Sequence, residues 1–483
     1  MDRVARNLIG GRFVEGAAGG TFRRENPSRR SEIVGEATES GAVDVDAAVA
    51  AARAALPGWR AQPGPARGRV LLAAADALAG GAEDLARLVA REVGKPLGEA
   101  RGEVARGVAL LRYYGAETER AVGASLPHPD GRSLLFTRRV PLGCVGLITP
   151  WNFPVAIPLW KGAPALAFGN TVVWKPARWA SLVAHRLSEL LAPVLPPGVW
   201  NTVLGGGGTV GAALAAHPGV DGLSFTGSEA LGRRLASDLG GRGVKFQGEL
   251  GGKNPAIVLA DADLERAAEV VCSGAFRFAG QKCTATSRVI VEAPVRDAFV
   301  AALVAAASAM APQDALAPGC VVGPVVAAAP AEGIRAAIAR ACAEGSRVLC
   351  GGADPVAGLE DGHFIAPTVI DRVAPDQALA QEEIFGPVLA VLEAADAAEA
   401  VQLANRSRYG LSASLFTRSL DAAIAYVDRI EAGMVRVNAE TAGVDYLAPF
   451  GGVKASSTHS REQGAAAVEF YTEIQTVTLS PSR

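Results

Sequence analysis

The sequence predicts an α/β protein built on parallel sheets. Short apolar runs closed by proline or glycine recur from about residue 140. Stretches with helical spacing, of about 10–15 residues each, separate them, and that alternation forms βαβ units. The alternation starts afresh after ELGGK (249–253), which places a boundary near Gly251 and divides the chain into two such units.

The elements follow in order. MDRVARNLIGGRFVEG opens with a short β entry, and the first 120 residues then turn mostly helical, as in DVDAAVAAARAAL (44–56) and AEDLARLVAREVG (82–94). SLPHPDGRSLLFTRRVPLG (125–143) carries Pro-Asp-Gly between extended arms and reads as a projecting hairpin. In the first series CVGLIT (144–149) is an apolar run stopped by Pro150, and TVVWK (171–175) is a second, also stopped by proline. Helical spacing in ASLVAHRLSELLAPV (180–194) precedes the β-rich VWNTVL (199–204), a glycine run, a short helix, GLSFTG (222–227) and a helix from Ser228. The second series begins with PAIVLA (255–260), a helix from about Asp263, SRVIVEAP (287–294) and a further long helix. EIQTVTLS (473–480) alternates like a strand. The organisation expected is one domain from 1–124 and 143–250, a second from 251–455, and a small β element from 125–142 with 470–483.

Bulk properties narrow the function. With 483 residues, 49% hydrophobic, the chain has ample material for several cores. A formal net charge of −2 argues against a nucleic-acid binder, which carries a basic face. The six cysteines are sparse and lack paired zinc-ligand spacing, so they read as reduced thiols, with no metal site expected. No signal peptide is read at the N-terminus, and DAFVAALVAAASAMA (297–311) is too short to span a bilayer, so a cytoplasmic protein without a membrane partner is expected.

Four stretches carry chemistry. In GQKCTA (280–285), Cys283 follows Lys282, and Gly280 permits a tight turn that exposes the sulfur; a buried filler cysteine is the alternative. Glu249 stands at a predicted strand-to-loop junction, where burial makes a carboxylate a general base; a surface loop acid is the alternative. In TPWNFP (149–154) two prolines lock the backbone around Asn152, whose amide suits developing negative charge on oxygen. A turn asparagine bonded to its own backbone is the bland alternative. GGGTVG (206–211) formally matches a dinucleotide fingerprint, weakly so among 56 glycines, and FTGS (225–228) ends a strand where a helix N-terminus favours phosphate.

The ordered set PWNFP, WKPA, FTGS, ELGGK, GQKCTA, EEIFGP (382–387), PFGGVK (449–454) and REQG (461–464) resembles the aldehyde dehydrogenase superfamily over nearly the whole chain. The resemblance implies a Rossmann-like cofactor domain, an α/β catalytic domain and a small β oligomerisation element. It implies NAD(P)-dependent oxidation of an aldehyde to a carboxylic acid through a thiohemiacetal and thioester on Cys283. Glu249 then activates the hydrolytic water, and Asn152 with the Cys283 N–H forms the oxyanion hole. Lys175 and Glu383 match residues holding cofactor riboses, and Phe385 one beside the nicotinamide. Ser228 matches the pyrophosphate end of its helix, and Gly207 a position near the adenine. Ile148, Thr149, Pro150, Trp151, Ala177, Phe225, Thr226, Gly227, Leu250 and Gly251 complete the implied cofactor contacts.

Two departures bear on specificity. Three residues after Lys175 the family's NAD-preferring members often place a glutamate; this chain has Arg178 in KPARWAS, which suits a 2′-phosphate and makes NADP at least as good a cofactor as NAD. Phe153, Ile157, Trp160 and Phe450 are implied to line an apolar entry tunnel. Arg277 falls where the family often has an aromatic residue, and with Lys282 it favours an aldehyde bearing a distal carboxylate. The context of GQKCTATSRVIV and the C-terminal tail is similar to 2-oxoglutarate semialdehyde dehydrogenases, a group within the family. The hairpin and tail strand match segments exchanged between subunits, implying a homodimer or homotetramer, and Glu473 matches an acid facing Lys245 or Arg461. CoA-acylating relatives usually lack a glutamate at the position of Glu249, and non-catalytic ones tend to lose the cysteine, so the residues present favour a hydrolytic enzyme over both.

Overall fold

The structure is a computed structural model that describes residues 4–120, 123–443, 445–458 and 460–482. The chain opens with strands Asn7–Ile9 and Arg12–Val14, a paired ribbon of Thr21–Asn26 with Arg29–Thr38, and four helices ending in Leu97–Glu117.

The first large sheet has seven strands, in the spatial order Lys245–Glu249, Gly222–Thr226, Cys144–Ile148, Thr171–Lys175, Trp200–Thr202, Asn7–Ile9, Arg12–Val14. Its first five strands run parallel, and Asn7–Ile9 joins Trp200–Thr202 antiparallel. Cys144–Ile148 and Thr171–Lys175 are buried at every position, as strands covered by helices on both faces must be. The register sets Ile148 beside Lys175 and Thr226 beside Glu249, so all four stand at the carboxyl edge of the sheet. In open α/β sheets ligands bind at that edge.

The chain leaves the first sheet at Glu249 and enters the second at Asn254. The second sheet runs Arg347–Cys350, Thr368–Asp371, Val388–Ala394, Thr286–Glu292, Asn254–Val258, Ser412–Phe416, Met434–Val437, parallel except for its first, antiparallel strand. Asp263 caps the helix Leu264–Phe276 by accepting from the Arg266 N–H at 3.2 Å, at the start the sequence indicates.

The segment 125–143 differs from a simple hairpin. Its first arm pairs only at Ser125 and Leu126, because Pro127 and Pro129 offer no N–H to a ladder. The second arm, Leu134–Pro141, pairs instead along its length with the tail strand Thr472–Leu479. Among the described residues no helix is long and apolar enough to cross a membrane.

Candidate active site

The loop bearing Cys283 leaves helix Leu264–Phe276 through three consecutive residues in the left-handed region, with φ of 55° at Phe278, 50° at Ala279 and 66° at Gly280. Non-glycine residues there cost of order 1–3 kcal/mol each, so the surroundings must hold them. A Cβ on Gly280 would lie 2.4 Å from the Gly386 carbonyl oxygen, so no larger residue fits the turn. The buried Gln281 side chain accepts from the Val326 N–H at 2.9 Å and donates to the carbonyls of Phe278 (3.2 Å) and Pro324 (3.1 Å). Asn152 Nδ2 donates to the Gln281 carbonyl at 3.0 Å, and Asn254 Nδ2 to the carbonyls of Cys283 and Ala285, each at 2.8 Å. The loop is thereby fixed by three side-chain amides, and the Cys283 residue remains partly accessible.

A buried ion pair braces the turn that holds Asn152. Glu103 Oε1 accepts from the N–H groups of Val155 (2.8 Å) and Ala156 (3.0 Å), where helix Ala156–Ala167 begins, and its other oxygen pairs with Lys95. The Lys95 ammonium stands 3.7 Å from the Phe153 ring centroid and 4.8 Å from that of Phe278, linking the Asn152 turn to the cysteine loop. Trp151 adds edge contacts to Phe385, Phe278 and Trp179, with centroids 5.7, 6.3 and 5.9 Å away.

Glu249 ends its strand buried, with Oε2 accepting from Ser457 Oγ at 2.5 Å and Oε1 without a protein partner. Burial raises its pKa well above the carboxylate range, and repulsion from Glu462 adds to this. Glu462 is in turn held by Lys161, by Trp160 Nε1 at 2.7 Å and by Ser224 Oγ at 3.3 Å. The Cys283 thiol is also pushed up, first by burial and then by Glu383 and Glu249. Burial thus disfavours the charged form of both groups.

Two clefts could receive a dinucleotide. One of about 680 Å³ is lined by Ile148, Lys175, Gly207, Gly211, Leu235 and Arg242; a Cβ on Gly207 would meet nothing within 4 Å. Burial lowers the Lys175 pKa to about 8. The other, of about 520 Å³, is lined by Trp151, Trp179, Ile334, Glu383 and Phe385. The Glu383 carboxylate accepts from the Gly252 N–H at 3.1 Å, and burial raises it to about 7. A Cβ on Gly251, at φ +90°, would sit 2.4 Å from that carboxylate. Thr226 Oγ1 is buried without a partner, as a hydroxyl awaiting a ligand would be. Ser228 opens helix Glu229–Gly240 with its own side chain uncommitted to capping.

Other implied cofactor positions support this edge from within. Phe225 and Leu250 are buried, Leu250 against Gly232, and Thr149 Oγ1 accepts from Trp174 Nε1 at 2.8 Å. The Gly227 N–H is occupied by the Glu249 carbonyl at 3.1 Å, so it is not free for a phosphate. Pro150 follows the strand end and Ala177 precedes a tight turn, Arg178–Ala180. Arg178 does not stand unpaired: it forms an ion pair with Glu39 and lies 4.1 Å from the Phe22 ring centroid.

A third cleft, of about 270 Å³, reaches Cys283 and is lined by Phe153, Trp160, Phe450, Arg277 and Lys282. Ile157 is a correction: it is 1% exposed within the core under helix Ala156–Ala167 and does not line this cleft. Arg277 and Lys282 are also not free cations, since both pair with Glu99, at 2.9 Å each. Glu473 pairs with Lys245 at 2.9 Å; no such pair with Arg461 occurs among the described residues. Gln281, Asn254, Lys95, Glu103, Glu99 and Glu39 were not singled out by sequence. Only Asn254, next to ELGGK, and Gln281, inside GQKCTA, lie near a recognisable motif.

The family model described as the aldehyde dehydrogenase family matches residues 13–477. The chain belongs to the aldehyde dehydrogenase family. This aldehyde dehydrogenase is 45% identical over 477 residues to an alpha-ketoglutaric semialdehyde dehydrogenase of Bacillus subtilis, covering 98% of each chain. It is 42% identical to an alpha-ketoglutarate semialdehyde dehydrogenase of Haloferax volcanii, covering 99% of each. Its fold matches the crystal structure of an NAD-dependent aldehyde dehydrogenase from Sinorhizobium meliloti with a TM-score of 0.96 at 36% identity, covering 100% of this chain and 96% of that one. The chain is an enzyme, an NAD(P)-dependent aldehyde dehydrogenase.

The bracing makes two predictions. Gly280→Ala displaces the cysteine loop and lowers kcat/KM by roughly 100-fold; a steady-state assay checks this, and wild-type kinetics would contradict it. Lys95→Met leaves the Glu103 carboxylate buried without its cation and destabilises the enzyme by about 3–5 kcal/mol, read by urea unfolding.

Proposed function

We propose that the enzyme oxidises a semialdehyde acid such as 2-oxoglutarate semialdehyde to its dicarboxylic acid, with Cys283 as nucleophile and Glu249 as base. The observation that carries the reaction is the pairing of a partly accessible cysteine, on a loop tied by Asn152, with a buried carboxyl whose Oε1 has no partner. The substrate class is supported by two relatives named for that semialdehyde.

In this mechanism Glu249, once ionised, takes the Cys283 thiol proton and passes it to solvent, the sulfur bonds to the aldehyde carbon, and the carbonyl electron pair moves to oxygen as an oxyanion. The Asn152 amide and the Cys283 N–H hold that charge, each such donor contributing about 3 kcal/mol. Lys175, Glu383 and Phe385 would hold a nicotinamide dinucleotide, with Gly207 and Ser228 at its adenosine and pyrophosphate ends. When bound, that cofactor would accept the hydrogen of the former aldehyde C–H bond together with its electron pair, as the oxyanion re-forms the carbonyl. A thioester then remains on Cys283. Glu249, once ionised, takes a proton from water, whose oxygen attacks the thioester carbon and returns the sulfur as leaving group. Glu249 in place of a residue without a base favours water over CoA as acceptor.

We further propose that NADP serves at least as well as NAD, because position 178 carries a guanidinium and no carboxylate. Glu39 competes with a 2′-phosphate for Arg178, so Glu39→Gln raises the NADP-to-NAD ratio of kcat/KM. A strong NAD preference in both the wild type and this variant would defeat the proposal. The assembly proposed is a homodimer or homotetramer, built through the sheet of Leu134–Pro141 and Thr472–Leu479, and sedimentation as a monomer would oppose it. Six free cysteines support a reducing, cytoplasmic setting.

The reaction is tested by screening aldehydes against both cofactors, with Cys283→Ala expected to abolish turnover and Asn152→Ala to lower kcat by about 100–1,000-fold. Because burial keeps Glu249 protonated at the usual carboxylate pKa, its base form grows as pH rises. Measured kcat therefore rises with pH through the neutral range; a flat profile from pH 5.5 to 9 would contradict the role of Glu249.

A further inference from the structure

The cleft to Cys283 is rimmed by the helix Leu97–Glu117, which presents Gly98, Gly102 and Arg106 at four-residue spacing along one face. Glycine in a helix interior costs about 1 kcal/mol relative to alanine, so Gly102, inside the helix, needs a reason, whereas Gly98 stands in its first turn. Close packing is not the reason, because a Cβ on either glycine would meet nothing within 4 Å. Both glycines stand at the exposed rim of the cleft that Arg106 lines, and their missing side chains leave that rim open.

Most of the other charges around the cleft are matched, Glu440 alone having a hydroxyl and no cation as its partner among the described residues. Burial alone would raise the Glu99 carboxyl, but Lys282 and Arg277 outweigh it and hold the group ionised between them. Glu103 is committed to Lys95 and two backbone N–H groups, and Glu440 accepts from Ser273 Oγ at 3.1 Å. Arg106 is half-buried in the same wall, yet among the described residues it has neither a hydrogen bond nor an ion pair. Glu103 and Asp445 act on it only at longer range. A guanidinium that has lost part of its water and gained no anion is incomplete without one.

We infer that Arg106 is the residue that reads the distal carboxylate of the substrate, while the Arg277–Glu99–Lys282 cluster is a structural brace beside it. The assignment rests on the semialdehyde-acid reading above and deepens it. Its geometry is that of a pocket with the reacting sulfur and the guanidinium lining one cleft, together with Gly98 and Gly102. A carboxylate accepts two parallel N–H groups from arginine, which a lysine cannot supply, so replacement by lysine restores charge without the fork.

The test compares 2-oxoglutarate semialdehyde with pentanal, which has the same chain length and no carboxylate, in the wild type and in Arg106→Met, Arg106→Lys and Arg277→Met. The readout is the ratio of kcat/KM for the acid to that for pentanal, which cancels any general loss of folded enzyme. Arg106→Met is expected to lower this ratio by about 30-fold or more, mainly through KM for the acid, and Arg106→Lys to recover part of it. Arg277→Met is expected to lower it less than Arg106→Met does. A ratio unmoved by Arg106→Met, in an enzyme that prefers the acid, overturns the assignment and leaves the substrate class standing. A wild type that prefers pentanal overturns both.

Discussion

Phe278, Ala279 and Gly280 turn the chain through the left-handed region and deliver Cys283 to the crevice between the two sheets. Such a turn does not persist on local preference. It persists because the Gln281, Asn152 and Asn254 amides hold five carbonyls and one N–H of the loop and its neighbours, all but one of these bonds buried from water. In a low-dielectric interior each of those groups is expensive to leave unpaired, so the hydrogen bonds specify one loop position more than they add net stability. The Asn152 amide and the Cys283 loop are therefore set relative to each other by one bond, from Asn152 Nδ2 to the Gln281 carbonyl.

The same burial explains the resting chemistry. Cys283, Glu249 and Glu383 all have raised pKa values, with desolvation as the largest cause in each case. Burial disfavours the charged form of each of these three neighbouring acidic groups. Lys175 and Lys253 move the other way for the same reason, to about 8 and about 7. Charge enters the crevice with its ligands and is met there by groups already aimed at it.

Much of this was legible in the sequence where function depends on local order. Strand ends, glycine turns and the motif residues Cys283, Glu249, Asn152, Lys175 and Glu383 lie in short stretches with distinctive composition, and the parallel sheets follow from the alternation of apolar runs and helices. What stayed hidden depends on pairs distant in the chain. Arg277 meets Glu99 across 178 positions, and Arg178 meets Glu39 from another element altogether. Neither side of such a pair changes the local pattern, so a lone arginine reads as free until its partner is placed. Ile157 failed for a related reason: helix Ala156–Ala167 is buried on every face, so periodicity does not tell the cleft-facing side from the core. Arg106 left no signal in the sequence, because what distinguishes it is the lack of a partner among the described residues.

The central claim is that oxidation proceeds through a thioester on Cys283 that water, activated by Glu249, must break. The most direct measurement is the intact mass of Glu249→Gln enzyme quenched in acid after mixing with semialdehyde and dinucleotide, followed by peptide mapping. The account predicts an acyl adduct on the Cys283 peptide, formed together with about one equivalent of reduced cofactor per active site. Reduced cofactor appearing continuously at the wild-type rate, with an unmodified Cys283 peptide, would contradict it.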